Sequence, residues 1–137
     1  MILYYGLAFI YGLMIGSFIN VLIFRLGVKE GIINGRSECP SCLKKLFWYD
    51  LIPLLSYLEL RGKCRYCKGK ISLVYPIVEA LSGLLFFGLV FIHGPSFSPE
   101  IIFTGVISVF VIAIIFFDIL YFIIPDKITF PLIGLAF

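Results

Sequence analysis

Charge is scarce in this sequence: Asp, Glu, Lys and Arg make up 14% of the 137 residues, against 61% hydrophobic ones. Soluble domains carry about 25% charged residues, so the shortage excludes an ordinary water-soluble fold and asks for a lipid solvent. No basic residue precedes the first apolar run and no small-residue cleavage site follows it. That excludes a secretory signal peptide and makes the run a retained helix. The stretch HGPSFSPE, residues 93–100, has no Lys or Arg at all. A Gly-rich loop between a strand and a helix, of the kind that holds adenosyl cofactors in soluble proteins, is also missing.

What is present is a series of apolar runs near the length of about 20 residues that a hydrocarbon core of about 30 Å requires. They predict transmembrane helices over 1–24, 74–92 and 101–124, joined by a loop over 25–73 and a short turn over 93–100. A further apolar stretch over 128–137 would climb only about 15 Å, half of the core. The expectation is a chain cut within a fourth helix. The expected fold class is all-α and integral to the membrane, a polytopic helical bundle with a small zinc-ribbon-like loop between its first two spans.

Ten of the eleven Lys and Arg residues lie between Arg25 and Lys70, alongside the four acids Glu30, Glu38, Asp50 and Glu59. Basic loops stay on the cytoplasmic side. The loop is therefore expected in the cytoplasm, the turn over 93–100 outside, and Pro125, Asp126 and Lys127 at the inner surface. Basic residues with Phe47, Trp48, Tyr49, Tyr57 and Tyr66 could hold nucleic acid. Topology and anionic lipid headgroups explain the same charge more simply, so the expected partner is membrane lipid and not nucleic acid.

The loop carries all four cysteines, Cys39, Cys42, Cys64 and Cys67, as two CxxC pairs with 21 residues between them. Two knuckles that each give two thiolates suit a tetrahedral zinc ion. Reduced free thiols are the competing state, while disulfides conflict with a reducing cytoplasm. A catalytic redox pair would need thioredoxin-like strands and helices around it. A loop of this size has little core of its own, so the metal is expected to fold it.

Ionisable residues inside apolar helices are costly and call for a reason. Asp118 sits between VFVIAIIFF and ILYFII. An acid there either pairs with a base or caps a neighbouring helix, or it serves chemistry, and burial among helices would suit it to proton transfer. Asp126, eight residues on, is about 12 Å away along a helix, too far to share a proton easily, and is read as an interfacial cap. Glu79 faces either the bundle or the interface. Ala8, Gly12, Gly16 and Asn20 recur every fourth residue, a packing seam, and His93 is a surface histidine.

Several segments together are similar to the N-terminal part of the bacterial prepilin peptidases: GSFINVLIFR, RSECPSC, WYDLIPLLSYLELRGKCRYC, YPIVE and FDILYFIIPD. The resemblance implies an aspartic endopeptidase of the bacterial inner membrane that removes the leader of type IV prepilins or pseudopilins at the cytoplasmic face. It implies Asp118 as a catalytic residue, Asp126 as a motif neighbour, and the four cysteines as the family's tetracysteine loop. S-adenosylmethionine enters only through it, because many such members also methylate the new N-terminus. The family's second aspartate, in a Gly-x-Gly-Asp motif, has no counterpart in these residues, so the chain alone is expected to be inactive. The alternative is a non-catalytic membrane module whose zinc loop docks a secretion or pilus-assembly partner.

Overall fold

A computed structural model describes residues 2–27, 37–94, 98–122, 129–131 and 133–134. Three long helices dominate it: α1 (Ile2–Gly27), α3 (Val74–His93) and α4 (Pro99–Tyr121). A short helix, α2 (Leu55–Glu59), lies in the loop between α1 and α3, preceded by a 3-10 turn at Trp48–Leu51. No strand occurs among the described residues; two isolated bridges, Glu38 with Lys45 and Lys63 with Lys70, are the nearest approach to one. All three long helices are apolar and long enough to cross a bilayer. The protein is thus a polytopic all-α membrane bundle with a cysteine loop between its first two spans.

Local sequence accounts for where the helices start and stop. Ser98 caps α4, its hydroxyl accepting from the Ile101 amide at 3.4 Å, and Pro99 fills the first turn, where no amide partner is needed. This cap starts the helix two residues earlier than hydropathy predicts. At the other end Phe122 turns left-handed (φ 53°) and its amide closes on the Asp118 carbonyl at 2.8 Å. Gly94 ends α3 with φ 77°, a conformation that costs glycine nothing.

The seam on α1 does what its spacing implies. A Cβ on Gly12 would fall 2.5 Å from the Ser82 carbonyl oxygen, and one on Gly16 would fall 2.6 Å from the Glu79 Cα. Backbone meets backbone there, which is how helices associate where lipid removes the hydrophobic drive. Asn20 donates to the Tyr75 carbonyl at 3.0 Å, and Phe24 stacks on the Tyr75 ring at 4.4 Å. α4 closes the bundle by setting Ile112, Ala113 and Phe117 against Ile19, Ile23 and Val78. Residues 129–131 and 133–134 are helical. The rest of the stretch over 128–137, and the segment containing Pro125, Asp126 and Lys127, lie outside the described residues.

Candidate functional site

The two CxxC pairs fold as copies of one knuckle. In the first, the Cys39 amide donates to the Lys44 carbonyl (3.0 Å) and the Leu43 amide to the Cys39 carbonyl (2.8 Å). In the second, the Cys64 amide donates to the Gly69 carbonyl (2.8 Å) and the Lys68 amide to the Cys64 carbonyl (3.0 Å). The residue after each second cysteine is left-handed, Leu43 at φ 55° and Lys68 at φ 59°. Each knuckle is closed by one of the two bridges. Both turns thereby aim two sulfurs at one point.

All four Sγ atoms lie within 4.8 Å of one another, and those of Cys39 and Cys67 are 3.8 Å apart. A tetrahedral zinc with bonds of about 2.3 Å spaces its sulfurs by about 3.8 Å, so the donor set fits that ion. Zinc bound here would supply a structural cross-link and no open coordination position. Within the described loop, residues 37–73, the buried residues are Cys39, Gly62 and Cys64. No aliphatic or aromatic residue among these described residues is buried, which puts the cluster at their core.

The thiols are not equivalent. Burial works against charge on Cys39, but amides of Ser41 and Cys42 and the thiols of Cys64 and Cys42 outweigh it and bring its pKa down to about 7. The Gly69 amide favours the Cys67 thiolate, at 3.4 Å, yet desolvation and its three cysteine neighbours push that thiol up to about 11. Without a metal, one sulfur carries the charge and another keeps its proton; a metal favours the thiolate form at all four.

Asp50, which sequence reasoning gave no role, braces the second knuckle. Its carboxylate accepts from Arg65 Nε at 2.8 Å, Tyr66 Oη at 3.1 Å and the Phe47 amide at 3.2 Å, with the side chain 3% exposed. Burial opposes this charge, and the Arg65 hydrogen bond together with the other two donors overcomes it and holds the acid below its usual range. The same pairing raises Arg65. Lys44 lies over the Tyr66 ring at 4.4 Å, tying the first knuckle to the second.

Glu79 faces the bundle. Its side chain accepts from the Leu54 amide at 2.9 Å and lies within hydrogen-bonding reach of Ser17 on α1. Leu54 can offer that amide because the chain makes a tight three-residue turn there, with φ 57° and ψ −44° and the Leu55 amide closing on the Pro53 carbonyl at 2.6 Å. Such positive-φ γ-turns are rare and strained. Sequence reasoning missed the contact; the available signal was an acid in the second turn of a span, too good a hydrogen-bond acceptor to leave without a partner.

Asp118 departs from expectation. It is exposed on the face of α4 turned away from α1 and α3, in line with Val111, Ile115 and Ile119, and no described residue meets its carboxylate. Its neighbour Phe117 takes the inward position, 4% exposed. The burial expected from its apolar flanks is therefore not supplied by these helices, because burial follows helix face and not nearness in sequence. Asp118 and the cysteine cluster are separate features, both at the end of the bundle where α1 leads into the loop and α3 leaves it. Asp126 falls outside the described residues, and His93 is exposed at the end of α3.

Residues 10–93, which hold most of α1, the cysteine loop and α3, match the family described as bacterial peptidase A24 N-terminal domain. The prepilin leader peptidase/N-methyltransferase of Myxococcus xanthus is 42% identical over 130 residues, covering 93% of this chain and 38% of that protein. The protein of the same name from Vibrio cholerae is 38% identical over 136 residues, covering 93% of this chain and 53% of its own length. That of Bacillus subtilis is 36% identical over 125 residues, with coverages of 90% and 49%. The chain thus spans about half the length, or less, of these relatives. No solved structure matches it. With a membrane bundle, a paired-knuckle loop and this similarity in agreement, the chain belongs to the bacterial prepilin peptidase family, as its N-terminal part.

Proposed function

We propose that this chain is the N-terminal unit of an aspartic endopeptidase that removes the leader of type IV prepilins or pseudopilins, with Asp118 as one of its two catalytic carboxyls. The observation that carries the reading is an acid, Asp118, on the outer face of α4 beside apolar Val111, Ile115 and Ile119, three residues from the end of that helix and on the loop's side of the bundle. An unpaired carboxyl facing hydrocarbon is costly, whereas one facing a second carboxyl and a water is equipped for hydrolysis.

In that mechanism the ionised carboxyl takes a proton from water while the protonated one polarises the scissile carbonyl. The water oxygen bonds to the carbonyl carbon, the C–N bond breaks, and the proton passes to the leaving amine. The partner carboxyl comes from outside these 137 residues, so this stretch by itself has no peptidase activity. The basic charge of the loop puts it, and with it the Asp118 end of α4, on the cytoplasmic side of the inner membrane. A prepilin's apolar stem would then lie along the outer face of α4 while its leader remains in the cytoplasm. Cys39, Cys42, Cys64 and Cys67 would hold zinc, which would cross-link the two knuckles of the loop.

The relatives' names also include N-methyltransferase. No described residues form a recognisable cradle for S-adenosylmethionine, so no step is assigned to it; methyl transfer by protein with Asp118 replaced would establish it as a separate activity. The peptidase reading is tested by purified protein carrying this sequence and Asp118→Ala, given a prepilin substrate. Cleavage falls by about 10²–10⁴-fold, the usual contribution of a positioned acid or base, while membrane insertion persists. Retained cleavage would favour the non-catalytic docking module instead.

A further inference from the structure

The geometry points to a second role for the cysteine loop: it is a lipid-docking surface that lays an apolar stripe into the bilayer interface and sets a basic groove against anionic headgroups. This inference is independent of the peptidase reading, since it rests only on α1 and α3 being spans. Trp48 and Leu51 on the 3-10 turn and Leu55 and Leu58 on α2 are 76%, 40%, 65% and 69% exposed. Four large apolar side chains in so short a segment would be a poor surface in water.

Their position removes the conflict. The Leu54 amide, inside this segment, is bonded to Glu79, which lies about 7 Å along the axis from the start of α3. Side chains on a helix lean towards its N-terminus, so Leu54 sits at the level of the first turns of a membrane-crossing helix. Leu55 follows it directly in the chain, and Leu51 lies three residues before it. The level of Leu54 is the depth of headgroups and upper acyl chains, where Trp side chains concentrate.

Beside these residues, Tyr57, Arg61, Lys63, Lys70, Ser72 and Leu73 are among those lining an open groove of about 550 Å³ that ends at the residue before α3. Its three cations are exposed, and no described acid pairs with them. Cations at this height are complementary to lipid phosphate. The occupant is therefore the bilayer itself, anionic phospholipid in particular.

Trp48 is the chain's single tryptophan, so its fluorescence reports on the stripe without labelling. The chain is reconstituted into vesicles of phosphatidylcholine brominated near the headgroup end of the acyl chain, then separately exposed to aqueous iodide. Docking gives strong quenching by the lipid and weak quenching by iodide. Quenching by iodide alone overturns the proposal, and so does quenching by neither, which would mean that protein covers the stripe. Adding phosphatidylglycerol should increase lipid quenching, inorganic phosphate should not, and Arg61→Gln with Lys63→Gln and Lys70→Gln should abolish the increase. Persistence of the increase in that variant removes the groove from the account, while the unsubstituted chain keeps the stripe testable whatever the variant does.

Discussion

The cysteine loop and the outer face of α4 are opposites. In the loop, a buried acid has three donors, the sulfurs converge on one point, and both knuckles close their own hydrogen bonds. On α4, Asp118 stands among exposed Val111, Ile115 and Ile119 with no described partner. The loop is a finished local structure, while the three described spans leave Asp118 without a partner. A group already satisfied stabilises; one held ready and unsatisfied is available for chemistry.

The largest expected effect comes from breaking the finished side. Cys64 is 2% exposed at the heart of the loop, where the cluster supplies the core of the described residues. Structural zinc sites contribute about 10–16 kcal/mol to folding in small domains, so Cys64→Ser should release the metal and open the loop. Zinc per chain should fall from one to near zero and the loop should become sensitive to protease, with α4 untouched. Acid sharpens the same point. The Cys39 thiolate's contribution is complete above the ordinary thiol value of 9.0 and lost as pH falls through about 7. Protons and zinc compete for the same sulfurs, so zinc occupancy should fall on acidification.

Next in size is the link between loop and bundle. Glu79→Ala leaves the strained Leu54 turn without its acceptor, at a cost of about 1–3 kcal/mol for an unsatisfied buried amide. Faster hydrogen exchange at the Leu54 amide, with zinc retained, is the expected readout; unchanged exchange would mean that the turn holds itself. The smallest effect belongs to Asp50→Asn. Arg65 is 34% exposed, so solvent screening limits the loss to about 1 kcal/mol. Because the Asp50 carboxyl is depressed, its contribution is present above the usual carboxylate range and disappears as pH falls through and below it. Thermal unfolding of the zinc-loaded loop should show that acid-side decline in the native protein and lack it in the variant.

Much of this contrast was legible in the sequence, and the rest was hidden for definite reasons. Apolar runs mark spans because lipid demands length, and the CxxC spacing marks a cluster because two knuckles can present four sulfurs to one ion. Glycine spacing on α1 likewise foretold backbone contact. The outward turn of Asp118 was not legible because flanking residues report hydropathy, whereas burial depends on which face the neighbouring helices cover, and that face belongs to Ile112, Ala113 and Phe117. The Leu54–Glu79 bond spans 25 residues and needs a backbone conformation that leucine seldom adopts. Asp50 carried no signal of a role in the sequence, because its partners Arg65 and Tyr66 reach it only through the fold of the second knuckle.

The central claim is a division of labour in which the loop holds structure and α4 holds chemistry. It is tested most directly by Asp118→Asn in the protein carrying this sequence, with zinc content and prepilin cleavage read on one sample. The account predicts full zinc and cleavage reduced by about 10²–10⁴-fold. Full zinc with undiminished cleavage would contradict it.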